Sequence, residues 1–223
     1  RLSGLVHRTK GDIYGVECLH KNALEEYQKS KEHFDKAELS FHSAFALYNI
    51  ATAYSDLRDY DNAIKYLLKS EEQFSENGYG LYQFETQIEL CYNYLQIDDF
   101  NSCANVFARI DKSAKIGYSY CDYYCIYAIL SAHSGNFVDA KTYISKAKTE
   151  QIINPMQLAY SEYIIIRLQG NDTEALNFYL QMIAEQDKFV FNAINNSLLQ
   201  SQVDLLSGQV ASAKEIQQKT RLI

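Results

Sequence analysis

Apolar residues recur at three- and four-residue spacings along nearly the whole chain, the period of helices that each bury one face. Short breaks such as Leu57-Arg58-Asp59 and His133-Ser134-Gly135-Asn136 predict tight connections that close helical hairpins. The pattern also repeats itself. Asn22-Ala23-Leu24-Glu25-Glu26-Tyr27-Gln28-Lys29-Ser30 aligns with Asn62-Ala63-Ile64-Lys65-Tyr66-Leu67-Leu68-Lys69-Ser70 at an offset of 40, continuing through Glu32/Glu72 and Phe34/Phe74. Further on, the segment 134–141 aligns with 207–214. Small residues at 23, 63, 103, 140, 175 and 213 anchor successive units, spaced by 40, 40, 37, 35 and 38 residues. One helix pair cannot bury its own apolar face, so the units must stack into a solenoid. Pro155, after Asn154, reads as the first-turn proline of a helix capped by that asparagine.

The recurring residues resemble the tetratricopeptide repeat (TPR), a helix–turn–helix unit with the pattern W-x2-L-G-x2-Y followed by A-x3-F. The first copy carries Gly11, Tyr14, Ala23, Tyr27 and Ser30; the second Ile50-Ala51, Tyr54, Tyr60, Ala63, Leu67 and Ser70. The third has Leu90-Cys91, Tyr94, Phe100, Cys103 and Phe107, and the fourth Tyr124, Tyr127-Ala128, Gly135, Phe137, Ala140, Ile144 and Ala147. A fifth keeps Tyr163, Ile166, Gly170, Ala175 and Tyr179 but places Glu162 where an apolar residue belongs; the sixth keeps Gly208, Val210 and Ala213. Small residues at the eighth and twentieth positions let two antiparallel helices approach, and aromatics fill the space on either side. Gly11, Ala51, Cys91 and Ala128 are therefore expected to pack against Ala23, Ala63, Cys103 and Ala140. The proline that ends each repeat in the family is missing, and the spacing exceeds the usual length of about 34 residues. That surplus predicts longer second helices running on into the next repeat. The resemblance implies an all-α, right-handed solenoid of six TPR-like repeats and twelve helices. It forms a single domain over 1–223, with repeats near 4–36, 44–77, 84–116, 119–152, 156–188 and 191–223.

Composition narrows the function. With 47% hydrophobic and 22% charged residues the chain is globular rather than disordered. One proline and nine glycines are too few to turn the strands of an all-β protein. The net charge of −7 repels phosphate backbones, which argues against nucleic-acid binding by this segment. The most apolar stretch, Tyr123 to Val138, is interrupted by polar residues and falls short of the ~20 apolar residues of a membrane span. A chain that opens at Arg1 reads as a piece of a longer protein. Five cysteines, an odd number, do not make a disulfide framework. Cys121 and Cys125, four apart on a helix, have Cβ atoms about 5–6 Å apart, too far to bridge. Cys91 and Cys103 fill the small-residue positions of the third repeat.

Catalytic signatures are scarce. The histidines at 7, 20, 33, 42 and 133 lack zinc spacing, Ser145-Lys146-Ala147-Lys148 matches S-x-x-K only trivially, and Gly78-Tyr79-Gly80 follows no strand. The chain is expected to be non-enzymatic, with no cofactor and no metal. The remaining candidate is the concave face. If positions 4, 7, 8 and 11 of each first helix face the core, positions 2, 5, 9 and 12 face away. That face carries Arg8 and Asp12, then Phe45, Tyr48, Thr52 and Ser55, then Glu85, Ile88 and Tyr92. Asp122, Cys125 and Ile129 follow, then Tyr160 and Ile164. Asn49 falls at the sixth position, where peptide-binding TPR proteins use asparagine to hold a ligand backbone. Arg8, Asp12, Tyr48, Asn49, Thr52 and Tyr92 are the candidate partner-binding residues, for a protein or peptide ligand. A clamp for a terminal carboxylate needs several Lys and Arg, and Arg8 alone does not supply one.

Segments 10–14, 22–27 and 44–51 look like those of bacterial signalling proteins of this repeat class, whose repeats precede a membrane helix and a helix-turn-helix regulator. This resemblance implies a sensor or regulatory segment, periplasmic if it is membrane-anchored and otherwise cytoplasmic. The alternatives are a peptide-gated regulator resembling the response-regulator aspartate phosphatases, and a structural assembly scaffold. In the sixth repeat the inferred core positions hold Ser197, Gln200, Ser201 and Asp204, all polar. Leu198, Leu199, Leu205 and Leu206 are expected to be covered, either by a final helix over 210–223 or by a second copy of the chain, a homo-oligomer through the C-terminal repeat.

Overall fold

The computed structural model describes residues 2–110, 120–150, 155–184 and 188. The chain divides into two compact units, Arg1–Asp172 and Thr173–Ile223. The first contains α1 (Leu2–Val16), α2 (His20–Lys36), α3 (Ser40–Asp56), α4 (Tyr60–Glu76) and α5 (Gly80–Gln96). It continues through α6 (Phe100–Phe107), α7 (Tyr120–His133), α8 (Phe137–Ala147) and α9 (Pro155–Leu168). A tenth helix, α10, covers 172–184 and lies almost wholly in the second unit. In that unit Ala175 is buried while Leu176 and Leu180 are exposed. No strand occurs among the described residues. In the first unit α1 to α6 pack each on the next, α7 packs on α8, and α7 also packs beside α9. This is the all-α stack of helix pairs that the repeats predict. The sixth repeat, its four leucines and the Asn154 cap lie outside the described residues.

Every described hairpin turn uses one device. The second residue after the helix takes a left-handed conformation at Cys18, Glu38, Arg58, Gly78 and Asp98, every twenty residues, and again at Gly135 and Gly170. Its N–H donates three residues back, and the next N–H donates five residues back, as in Cys18 to Gly15 and Leu19 to Tyr14. The same pair recurs at Arg58/Asp59 on Ser55/Tyr54 and at Gly135/Asn136 on Ala132/Ser131. This pair of hydrogen bonds satisfies carbonyls that a helix end would otherwise orphan. At Asp59, Asp99 and Asn136 the following residue also caps the next helix through its side chain. The connections within and between repeats are thus alike, and α2 to α5 are each 17 residues long. The expected overlong second helices are not there: the surplus over the usual repeat is shared equally by both helices.

The predicted small-residue pairs are all in the core. Ala51, Ala63, Cys91, Cys103, Ala128 and Ala140 are fully buried, as are Gly11 and Ala23. The Cys91 thiol donates to the Cys103 carbonyl at 3.6 Å. A Cβ on Gly11 would lie 2.5 Å from the Tyr27 ring, so that helix crossing requires glycine. The serines ending the aligned segments have a matching role. Ser30 Oγ donates to the Gly4 carbonyl and Ser70 Oγ to the Ala44 carbonyl, both at 2.9 Å and both buried. These bonds tie the end of each second helix to the start of the first. Glu162, the residue out of pattern, accepts from Lys148 Nζ at 2.6 Å, joining α9 to α8.

Candidate functional site

The first helices of repeats one to three place the candidate residues. On α1, Arg8 lies 4.0 Å from the Asp12 carboxylate and 5.8 Å from the centre of the Phe45 ring on α3. Asp12 accepts the Tyr27 hydroxyl at 3.0 Å. On α3, Tyr48 is part-buried and stacks on Phe45 with centroids 6.0 Å apart. Asn49, one residue on, is buried at 9% exposure, and its Nδ2 is a buried donor with no hydrogen-bond partner. Thr52 is exposed and returns its hydroxyl to the Tyr48 carbonyl. Tyr92 on α5 is 5% exposed, and its hydroxyl donates to Asp122 of α7 at 3.2 Å.

A recess of about 330 Å³ brings part of this set together. Asp12, Gly15 and Val16 of α1, Ala23 and Tyr27 of α2, and Thr52, Ala53 and Asp56 of α3 line it. Asp56, which the sequence pattern did not single out, is held 3.2 Å from His20 Nδ1. It sits at position 13 of its repeat, one place beyond the face read from the helical phase. Arg8 flanks the aromatic Phe45–Tyr48 strip, while Tyr48, Asn49 and Tyr92 are not among the residues that line the recess.

The expected open face narrows along the chain. Ile88, Tyr92, Cys125, Ile129 and Ile164 all belong to the hydrophobic core, none more than 6% exposed. The physical reason is that α7 packs against α5 and α9, so residues at the fifth and ninth positions meet each other rather than solvent. Helix α7 has buried residues all round, including Cys121, Tyr123, Cys125, Ile126 and Ala128. A phase rule taken from the first two repeats misses this.

Carboxylates dominate the electrostatics. Burial, together with Asp122, Asp56 and Glu85, pushes the Glu89 carboxyl up to about 7. Burial also raises Asp122 to about 6, opposed by the Tyr92 hydroxyl bond. Asp56 and Glu85 are shifted upward by burial too, Asp56 against the pull of His20. The Tyr48 phenol is pushed well up by burial and, less, by the charges of Glu89, Glu85 and Asp122. The thiols of Cys91 and Cys125 move upward by burial, away from the ionised form a nucleophile needs. Among the described residues no group of three or more His, Cys, Asp or Glu side chains could hold a metal, and no helix is long and apolar enough to cross a membrane.

No family model matches the sequence, and no curated protein matches it. Solved structures match its backbone. NprR, in complex with its cognate peptide NprX, superposes with a TM-score of 0.60 at 19% identity, covering 85% of this chain and 58% of that one. This chain therefore spans less than two thirds of the NprR structure. A Podosopora anserina protein described as a kinesin light chain with nearly identical TPR-like repeats gives a TM-score of 0.52 at 16% identity, over 85% of this chain and 95% of that one. The chain has the fold of TPR-like helical repeat proteins.

Proposed function

We propose that this chain is a non-enzymatic interaction module that holds a peptide or an extended protein segment along the inner face of α1, α3 and the start of α5. The observation that carries this reading is the buried, unpartnered amide of Asn49 on α3, the helix that also carries the Phe45–Tyr48 aromatic strip and, one turn on, the recess residues Thr52 and Ala53. A buried donor without a partner costs about 1–3 kcal/mol, and a ligand carbonyl that reaches it as neighbouring side chains shift aside would recover that cost. Tyr48 and Phe45 offer adaptable aromatic area next to it, and Thr52 offers a polar edge. The upward-shifted thiols weigh against nucleophilic chemistry. The NprR structure lends an analogy, since that protein, which shares this fold over 58% of its chain, is in complex with its cognate peptide. By that analogy, and by the resemblance of segments 10–14, 22–27 and 44–51, we place the module in a bacterial signalling or transcription-regulating protein as its sensor segment. The peptide in NprR equally favours the second reading, a peptide-gated regulator.

Panning the purified chain against a random heptapeptide phage library tests the reading. The most enriched peptide, made synthetically with a fluorophore, should bind with an affinity that falls at least about tenfold in the Asn49→Ala, Thr52→Ala double variant. Thr52 is exposed and bonds only within its own helix, and the buried Asn49 Nδ2 has no partner to lose, so neither truncation breaks a bond between helices and the thermal melt should change little. No enrichment, or equal binding by wild type and variant, would remove the inner face from the account.

A further inference from the structure

We propose that the recess enclosed by α1, α2 and α3 is a subsite for one cationic side chain, lysine or arginine, of a peptide lying along this face; the proposal rests on the peptide-binding reading above. Three independent features converge on it. The first is shape. At about 330 Å³ the recess lies at the small end of ligand sites, which run from ~300 to ~1,000 Å³, and suits one long side chain with some water. Its walls are mixed in the way such a side chain requires. Gly15, Val16, Ala23 and Ala53 present apolar surface to an alkyl stem, while Asp12, Thr52 and Asp56 present oxygen to a charged end.

The second feature is charge. Asp12 and Asp56 both line the recess, and Asp12 accepts the hydroxyl of Tyr27, which lines it too, at 3.0 Å. Each has only partial compensation. Arg8 stands off from Asp12 at 4.0 Å and is shared with the Phe45 ring, and Asp56 has His20 at 3.2 Å. Beyond the recess Glu85, Glu89 and Asp122 add carboxyls that act on Tyr48, although burial raises all three and Glu89, at about 7, is only partly ionised at neutral pH. The attraction for a cation therefore comes chiefly from Asp12 and Asp56 and is tempered by Arg8.

The third feature points to a peptide rather than a free cation. Asn49 lies one turn before the recess wall on α3. At 100° per residue its side chain projects within about 20° of Asp56 and between Thr52 and Ala53. Asn49 does not itself line the recess, but its unpartnered Nδ2 belongs to the same stripe of α3 as the lining residues Ala53 and Asp56. A buried donor one turn along from a pair of carboxylates matches a backbone carbonyl and the cationic side chain that hangs from a neighbouring residue. Asparagine for the main chain and aspartate for the side chain would read neighbouring residues of the ligand together.

The test uses the peptide enriched from the heptapeptide library. Its sequence family should share a lysine or arginine at one fixed position. Replacing that residue by norleucine should weaken binding to the wild-type chain by at least about tenfold, the scale of a lost charge-assisted hydrogen bond. The Asp12→Asn, Asp56→Asn variant should weaken the parent peptide similarly. It should bind the norleucine peptide no worse than wild type does, because the two losses are one interaction. Both asparagines keep an acceptor for Tyr27 and His20, and a melting curve checks the fold. Should the double variant melt early, Thr52→Lys replaces it: its own ammonium should occupy the recess and cost the parent peptide a similar factor. An enriched peptide that loses affinity in Asn49→Ala, Thr52→Ala but is indifferent to norleucine and to Asp12→Asn, Asp56→Asn would overturn the subsite while leaving the peptide-binding reading intact. A library that yields no binder would overturn both.

Discussion

At the scale of single residues, the informative positions are those where a side chain is held against its preference. Glu89 is the clearest. Its carboxyl sits part-buried among Asp122, Asp56 and Glu85 and is raised to about 7, above the 4.5 of an unstrained glutamate. A carboxyl whose folded pKa is raised keeps its proton where the unfolded chain has already released it. Its contribution to stability is thus complete below pH 4.5 and is lost as pH rises through 7. Glu89→Gln removes the group that must ionise. The variant should match wild type near pH 4.5 and exceed it near pH 7.5 by on the order of 1–3 kcal/mol. Thermal melts at the two pH values check this, and a shift of the same size at both would refute it. Asp122, Asp56 and Glu85 push in the same direction, so some decline with pH should remain in the variant. Tyr92 shows the opposite lesson. It is a core residue bonded to Asp122, so truncating it to Ala would open a cavity and cost about 3–5 kcal/mol, hiding any effect on binding.

At the scale of elements, the turns explain how the chain keeps its rhythm. Seven left-handed residues close helices, and four of them, Cys18, Glu38, Arg58 and Asp98, carry a Cβ that this conformation disfavours. The bonds from Arg58 to Ser55 and from Asp59 to Tyr54 hold the backbone there regardless of side chain. Arg58→Gly should therefore stabilise the fold by about 0.5–1 kcal/mol, visible as a higher denaturant midpoint at unchanged slope. A destabilised variant would mean that the arginine side chain contributes more than its backbone strain costs. These turns also show what could be read from sequence. Helix existence and pairing were legible, because small residues at 23, 51, 63, 128 and 140 mark helix crossings whatever the neighbours. Equal helix lengths were not legible. Glycine marks only Gly78, Gly135 and Gly170 among the seven turns, and Cys18 or Glu38 carries no turn signal of its own.

At the scale of the first unit, side chains of α1, α3 and α5 meet where Arg8 lies over the Phe45 ring and Phe45 packs edge-on against Tyr82. Arg8, Asp12, Tyr48 and Thr52 could be nominated from helical phase alone, since each sits on a regular helix in a repeat with strong anchors, whereas Asn49, off that phase, is nominated by the resemblance to peptide-binding repeats. Asp56 was missed because the recess opens at the end of α3, where the phase rule stops and the turn begins. The burial of Cys125 and Ile129 was missed because it depends on α7 meeting α5 and α9, a contact between repeats that no single repeat encodes. The account's central claim is that ligand runs along this inner face. Photo-crosslinking tests it most directly: the library-selected peptide, carrying a benzophenone at one end, is irradiated with the chain, and the adducts are located by mass spectrometry. Adducts should fall within 8–16 of α1, 45–56 of α3 and 82–89 of α5. Adducts confined to the opposite helices α2, α4 and α8 would contradict the claim.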